Sequence, residues 1–411
     1  MTLAALAALT IVWAWLRDET RARRTARWLN VPVCWTIARF LPWLAVYVVA
    51  GFATQSDVST VFWPQAHGVV EGGLPYRDFE CFYSPLFPYL IALPVLLWND
   101  PRVLVLFLSL LEAVTVALTL RAAGVAPRTS ARSRWLAFYF FAPGPLLLAV
   151  IGGQEDFLMW TGAVLLWLTL TRFRDFGTGL LTVVCTLFSK PLFLIPAAAF
   201  FGLSRRRWQF LAGAGPAALV VLAGLWVLTG RAFLHVLDAS ENIDPPNLWI
   251  WLHWLSGGRI PIGNPALSMI MVATVTGFGA WYFSRHAAAV AASHRHFFAA
   301  WTVLFALSML INLKSLGAYF AYFALPALAL FLELNDRRAL LWWLVLGALA
   351  PIESSLWYRT GRPLLSGLPS TPLVALDYAL QGVMLVALVA LALSAHRFLR
   401  QTPPAEAALP A

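Results

Sequence analysis

Long apolar runs fill most of the chain, and they leave little room for any fold other than a bundle of membrane-spanning helices. Of the 411 residues, 60% are hydrophobic and only 12% are charged. A soluble protein of this length needs far more polar surface. Because a helix needs about 20 apolar residues to cross a bilayer, the sequence predicts an all-α polytopic membrane protein of roughly 11–13 transmembrane helices, surrounded by membrane lipids.

The charge pattern indicates orientation. The net charge is +10, and nearly all of the basic residues are arginines, with Lys190 and Lys314 as the two lysines. The arginines lie in short loops between apolar runs, which is the positive-inside pattern, so we expect no nucleic-acid partner. The cysteines have no metal-type spacing. We therefore expect no disulfide framework, no metal site and no cofactor, with dependence on a divalent metal left open.

The apolar and polar segments predict four regions. Residues 1–30 hold an apolar segment, either a span or an interfacial helix, and an arginine-rich cytosolic loop. Residues 31–264 form a transmembrane module with two longer outer loops, 54–82 and 230–264, and residues 265–396 form further transmembrane helices. Residues 397–411 are expected to be a disordered tail. The predicted location is the cytoplasmic membrane, with the functional site on its outer face.

One part of the topology has two interpretations. If every apolar segment crosses, the arginine-rich loop 121–134 falls outside while the arginines at 205–207 fall inside, against the positive-inside rule. The conflict disappears if segment 83–98 does not fully cross and if segment 178–203 breaks at Lys190-Pro191 and doubles back, since proline removes a backbone donor. A plain crossing of all segments with one misplaced loop is the alternative.

The stretch from Gln55 to Leu86 is the long polar interruption in the first hundred residues. Charged, irregular backbone in a membrane protein is expected where it meets water or lines a cavity. Asp57 comes directly after a full span, at the start of this loop, where a carboxylate can act as a general base. The alternative is that Asp57 caps a helix that starts near Ser59.

The rest of the loop carries further polar candidates. A Gly72-Gly73 pair precedes Pro75-Tyr76-Arg77-Asp78-Phe79, and Tyr83-Ser84-Pro85-Leu86 opens the next helix. Tyrosines suit contacts with sugars, and an arginine can hold a phosphate. An ordinary turn with an Arg77–Asp78 surface pair is the alternative. The candidate binding residues of this segment are Tyr76, Asp78, Glu80 and Tyr83.

These motifs resemble the GT-C superfamily of membrane glycosyltransferases. The nearest resemblance is to bacterial polyprenyl-phosphomannose-dependent alpha-mannosyltransferases, and the pattern is also similar to the first GPI mannosyltransferase of eukaryotes. The resemblance implies a GT-C-type bundle with Asp57 as the catalytic base. The Tyr-Pro-Pro-Leu that is usual in this superfamily stands here as Tyr83-Ser84-Pro85-Leu86. Phe82 stands at the position before the tyrosine, where relatives often have an acidic residue.

Looser matches extend the resemblance to residue 326. They are Gly153-Gln154-Glu155-Asp156, Ser189-Lys190-Pro191, and Lys314 followed by Tyr319, Tyr322 and Pro326. They imply that Gln154 and Asp156 help to bind sugar or acceptor, although a simple turn explains them equally well. The implied donor phosphate leaves as an anion that positive side chains must stabilise, and Arg77, Lys190 and Lys314 are the candidates for this role. Lys190, as an intramembrane cation, needs a partner such as a phosphate or Asp156, unless it reaches the interface by snorkelling.

The second outer loop offers weaker candidates. Asn247 suits sugar recognition, whereas we interpret Trp251 and Trp254 as an interfacial belt. Glu112 lies within a span, where we expect it to hydrogen-bond a neighbouring helix.

The sequence thus predicts an enzyme that transfers a sugar, most plausibly mannose, from a polyprenyl-phosphate donor to a lipid or glycan acceptor with inversion. An arabinosyl- or glucosyltransferase of the same fold is one alternative. A polyprenyl-lipid or glycan transporter or flippase is another, although no inverted repeat is visible.

Overall fold

The computed structural model describes residues 28–127, 129–172, 175–235, 244–260, 265–360 and 371–401. These residues form helices and loops and contain no β-strand. The predicted all-α class is confirmed for this part of the chain. The predictions for the segment 2–16, for the arginines at 17–27 and for residues 402–411 lie outside the described residues.

Six of the described helices are long and apolar enough to cross a membrane. A seventh span results if two helices that meet at a 54° bend count as one. The chain is therefore a membrane-embedded helical protein. The six helices are Val31–Val49, Arg102–Ala122, Arg207–Thr229, Ala266–Arg285, His294–Ile311 and Pro372–Gln401.

Several segments predicted as full spans are shorter helices, because prolines and polar residues interrupt them. Segment 135–151 falls within the bent pair Ser130–Phe141 and Pro143–Val150, and the bend lies at Ala142-Pro143. Segment 83–98 contains only the helix Phe87–Val95, whose nine residues rise about 14 Å at 1.5 Å per residue. This is less than half of the roughly 30 Å hydrocarbon core. This helix alone is too short to cross, which agrees with the interpretation in which segment 83–98 does not fully cross; its place in the membrane stays a prediction.

Contacts divide the chain into two compact units. The first unit contains residues 1–81, 85–161 and 317–359, and the second contains 82–84, 162–316 and 360–411. In the first unit, the long segment 31–49 alternates between α-helical and π-helical turns. The other helices of the first unit are Val58–Phe62, Trp63–Val70, Phe87–Val95, Arg102–Ala122, Ser130–Phe141, Pro143–Val150, Gly317–Tyr322, Ala324–Glu333 and Arg337–Thr360, and Phe157–Arg172 contributes residues to both units.

A buried ion pair holds the first unit together. Arg39 is fully buried, and its Nε and Nη2 atoms donate to the two carboxylate oxygens of Glu112 at 2.7 and 3.0 Å. Its Nη1 atom donates to the carbonyl of Phe140 at 2.8 Å. The pair therefore joins the span 31–49 to two other helices, as buried charges require partners. The prediction that Glu112 bonds a neighbouring helix is confirmed.

The second unit contains the helices Asp175–Leu187, Pro191–Phe193, Leu194–Leu203, Arg207–Thr229, Leu248–Leu255, Pro265–Arg285, Ala287–Ala292, His294–Ile311 and Pro372–Gln401. Its chain reverses direction at Lys190-Pro191. The carboxylate of Asp175, before the reversal, accepts the backbone N–H of Arg206, after it, at 2.7 Å. Helix Asp175–Leu187 and the consecutive helices Pro191–Phe193 and Leu194–Leu203 connect these residues, so the chain after Lys190 must run back along the first helix. The predicted doubling back is confirmed.

Glycines let helices of the second unit approach closely. A Cβ atom on Gly179 would overlap the carbonyl oxygen of Phe210, and one on Gly213 would overlap the carbonyl oxygen of Phe176. The two glycines thus form a reciprocal crossing between helices Asp175–Leu187 and Arg207–Thr229. Small residues at such crossings are typical of membrane helices, because van der Waals packing replaces the hydrophobic effect there.

Candidate functional site

Asp57 lies at the N-terminal end of a helical stretch that runs from Val58 to Val70. Its side chain is half-buried and makes no capping hydrogen bond to that helix. The carbonyl of Ser56 instead accepts the hydroxyls of Ser59 and Thr60, each at 3.1 Å. The alternative in which the Asp57 side chain caps the helix is therefore wrong.

The turn at residues 152–156 packs against the residue that follows Asp57. Gly153 has a φ of 54°, and a Cβ atom there would overlap the Cγ2 methyl of Val58. Gln154 and Asp156 are both buried, and the Gln154 amide donates to the carbonyl of Gly152 at 3.3 Å. The structure thus brings two predicted site segments together within the first unit, the Asp57 segment and the Gly153–Asp156 segment.

Asp78 organises the loop that follows helix Trp63–Val70. One carboxylate oxygen accepts the backbone N–H of Leu74 at 2.8 Å, and both oxygens bind Arg77, whose Nε and Nη2 atoms each donate at 2.9 Å. The side-chain hydrogen bond from Arg77, followed by the backbone hydrogen bond from Leu74, lowers the pKa of Asp78 to about 2. The Arg77–Asp78 pair of the alternative interpretation is present, and phosphate binding by Arg77 would use its remaining N–H groups.

Tyr76 adopts an unusual backbone conformation in the same loop. Its φ of 67° lies in the left-handed region, which a non-glycine residue rarely enters. Burial, together with nearby Cys81, raises the pKa of the Tyr76 hydroxyl. Such strained residues cluster at functional sites. Glu80, by contrast, is exposed.

In the second unit, Lys190 lies beside Tyr83. Its Nζ atom is 5.4 Å from the centroid of the Tyr83 ring, a distance suited to a cation–π contact. The backbone N–H of Ser84 donates to the carbonyl of Ser189 at 3.4 Å. The structure therefore brings these two predicted residues together at the chain reversal, with Lys190 half-buried.

Asn247 has a structural role. It is fully buried, its amide nitrogen donates to the carbonyls of Asp244 and Leu313 at 2.8 and 2.7 Å, and its oxygen accepts the N–H of Ile250 at 3.0 Å. Sugar binding by this amide would require these bonds to break. The neighbouring backbone of Asp244 pairs with that of Leu313 and Ser315, which places Lys314 between them.

Trp251 and Trp254 pack inside the second unit. Their rings meet edge to face at 5.6 Å, and Trp254 meets Tyr378 of helix Pro372–Gln401 at 5.9 Å. Helix Pro372–Gln401 covers part of these rings, which are both half-buried, and the interfacial belt stays a prediction for these two residues.

A cleft of about 660 Å³ opens in the polar stretch from Gln55 to Leu86, the first polar loop. The sequence interpretation missed three of its polar or aromatic residues, Trp63, His67 and Glu71. Their spacing of four residues on one helix is the signal that was available, because it places them on one face. The complete lining is Trp63, Pro64, His67, Gly68, Glu71, Gly72, Gly73, Asp78 and Phe79.

Over the described ranges, no group of three or more His, Cys, Asp or Glu side chains is placed to hold a metal ion. Comparison of the chain with protein-family models, with curated proteins and with solved structures finds no match. The functional argument therefore depends on the residues themselves.

Proposed function

We propose that this chain is a membrane glycosyltransferase of the GT-C type, which transfers a sugar, proposed to be mannose, from a polyprenyl-phosphate donor to a lipid or glycan acceptor. We place the reaction at the outer face of the cytoplasmic membrane. The observation that carries the proposal is Asp57. Its carboxylate is half-buried, starts a polar loop directly after a membrane span, and does not cap its helix.

The chemistry is a single displacement. The Asp57 carboxylate accepts the proton of an acceptor hydroxyl while that oxygen forms a bond to the anomeric carbon. The bond from this carbon to the phosphate oxygen breaks, the polyprenyl phosphate leaves as an anion, and the configuration inverts. General base catalysis of this kind requires the carboxylate within hydrogen-bond reach of the hydroxyl.

The leaving phosphate gains negative charge, so cationic side chains stabilise the transition state. Arg77 is the proposed donor-phosphate ligand of the first unit, whereas Lys190 and Lys314, which the sequence also predicts as phosphate ligands, lie in the second unit. Tyr76, Asp78, Glu80, Gln154 and Asp156 of the first unit are the proposed contacts to sugar or acceptor, and the further candidate Tyr83 belongs to the second unit. The packing of the Gly153–Asp156 turn against Val58 supports a shared role for that turn and Asp57.

The test is sugar transfer from polyprenyl-phosphomannose in membranes that contain the wild type or Asp57→Asn. We expect Asp57→Asn to lower the rate by about 100-fold or more, the usual contribution of a positioned general base. Asparagine keeps the size and polarity of the side chain, and thermal unfolding of the variant is measured alongside, so that only a folded variant counts in the comparison.

Asp336→Asn is the matched control. Asp336 is also half-buried, and it accepts the N–H of Ala339 at the start of a helix. Asparagine caps helices as well as aspartate does, so transfer should be unchanged. Equal transfer by wild type and Asp57→Asn would exclude Asp57 as the base. Absence of transfer by all three proteins would exclude this donor.

A further inference from the structure

We propose that the cleft in the first polar loop binds a neutral saccharide, as the sugar-recognition subsite for the acceptor. The proposal rests on the proposed function, because it assigns the acceptor class for the same loop. The cleft has a volume of about 660 Å³, within the range of roughly 300–1,000 Å³ that small-ligand sites occupy.

The helix Trp63–Val70 contributes aromatic and polar side chains to the lining of the cleft. Trp63 and His67 lie one turn apart, with ring centroids 5.5 Å from each other, and both rings are half-buried. Phe79 adds a second aromatic ring to the lining. Rings of this kind offer flat apolar faces to the C–H side of a sugar ring, while the tryptophan N–H and the histidine remain polar handles.

Two carboxylates supply the hydrogen-bond acceptors. Glu71 and Asp78 both line the cleft, and the Glu71 carboxylate lies 3.2 Å from Nδ1 of His67. Ionised carboxylates only accept hydrogen bonds, so they pair with hydroxyl groups. The described lining contains no Lys or Arg. Arg77 neutralises Asp78 from outside this lining, so Glu71 is the carboxylate whose negative charge disfavours an anionic ligand, and a neutral sugar fits better than a phosphate or a uronic acid.

Three of the lining residues are glycines, and two of them allow close packing between the loop and the helix. A Cβ atom on Gly68 would lie 2.6 Å from Cδ1 of Phe79, and one on Gly73 would lie 2.9 Å from the carbonyl oxygen of Gly68. Gly72 has a φ of 86°, which other residues rarely adopt. The loop can thus fold closely over the helix while space remains for a ligand.

The cleft and the proposed base belong to one helical stretch. Asp57 precedes this stretch, and Trp63 follows six residues later, after the π-helical residues Val58–Phe62. In the proposed reaction, a saccharide bound in the cleft presents one hydroxyl to Asp57.

The experiment is photoaffinity labelling of the full chain in lipid nanodiscs. The probes are an aryl-diazirine mannoside and the matching aryl-diazirine glucuronide, and labelled peptides are mapped by mass spectrometry. We expect the mannoside to label residues within 63–79 and the glucuronide to label them weakly. Trp63→Ala should lower mannoside labelling about tenfold, the effect of losing about 1.4 kcal/mol of binding free energy. Trp208→Ala, at a tryptophan that is 68% exposed on another helix, should leave it unchanged.

A charge-specific readout separates binding from a merely structural effect. Glu71→Gln removes one negative charge from the rim, so labelling by the glucuronide should rise while labelling by the mannoside stays within about twofold. Competition by methyl mannoside and octyl mannoside distinguishes a soluble glycan, for which both compete equally, from a glycolipid, for which the octyl compound competes better.

Mannoside labelling of residues 63–79 that is unchanged in Trp63→Ala would overturn the proposal. Equal labelling by the glucuronide, or labelling confined to other segments, would also overturn it. Labelling does not require transfer, so Asp57→Asn should label like the wild type. If Asp57→Asn retains transfer while the mannoside still maps to the cleft, the proposed base fails and the saccharide site stands.

Discussion

At the scale of single residues, Gly153 fixes the position of the segment that carries Asp57. The sequence indicated that both segments belong to the functional region, because each matched a motif. It did not show that they touch, because the contact joins residues 95 positions apart and depends on a positive φ. No local pattern reports such a contact. The same limit applies to the cleft, whose lining comes from a helix and from the loop that follows it.

Gly153→Ala should destabilise the protein and impair sugar transfer. The substitution forces an alanine into the left-handed region, which costs about 1–2 kcal/mol, and pushes its Cβ atom into Val58, which adds about 1–3 kcal/mol. Gly124→Ala is the matched control, since Gly124 has a φ of 65° and a Cβ atom there would meet nothing within 4 Å. The measurement is the free energy of unfolding in detergent together with the transfer rate. Equal losses for both variants would show that the contact with Val58 is unimportant.

At the scale of elements, the Arg39–Glu112 pair and its bond to Phe140 join three helices of the first unit. The sequence predicted that Glu112 bonds a neighbour, because a carboxylate within a span needs one. The identity of Arg39 as its partner was not predicted. The signal was an arginine inside the apolar segment 31–53, although the distance of 73 residues along the chain left its partner open.

Arg39→Leu should lower the free energy of unfolding by about 3–5 kcal/mol, because it leaves the Glu112 carboxylate buried without its countercharge. The double variant Arg39→Leu/Glu112→Leu should be clearly more stable than the single variant, since no isolated charge remains. Thermal or denaturant unfolding in the same detergent measures both. A double variant that is less stable than Arg39→Leu would show that the ion pair is not the source of the loss.

At the scale of the whole molecule, the sequence predicted the class of fold and misjudged how many segments form uninterrupted helices. Hydropathy reports where apolar residues lie, and most of those segments are indeed helical. It does not report whether a proline bends a helix within the bilayer, as at Ala142-Pro143, or ends it, as at Lys190-Pro191. Those outcomes depend on packing against neighbouring helices, which satisfies the freed backbone groups.

From the chain reversal at Lys190-Pro191 we predict the side of the membrane from which residues before and after it are accessible. In a chain whose native cysteines are replaced by alanine, Phe176→Cys and Arg205→Cys should react with a membrane-impermeant maleimide from the same side, which the positive-inside rule makes cytosolic. Phe188→Cys should react only from the opposite side. All three positions are exposed. Reaction at positions 176 and 205 from opposite sides would instead support a plain crossing.

This helical hairpin has a consequence for how the protein enters its membrane. The helices Asp175–Leu187 and Leu194–Leu203 rise about 20 and 15 Å, so neither reaches across a hydrocarbon core of about 30 Å. A translocation channel that releases one span at a time has no complete span to release here. We therefore expect the hairpin to be integrated late, after helix Arg207–Thr229 has been synthesised and its glycine crossing can receive the first arm of the hairpin.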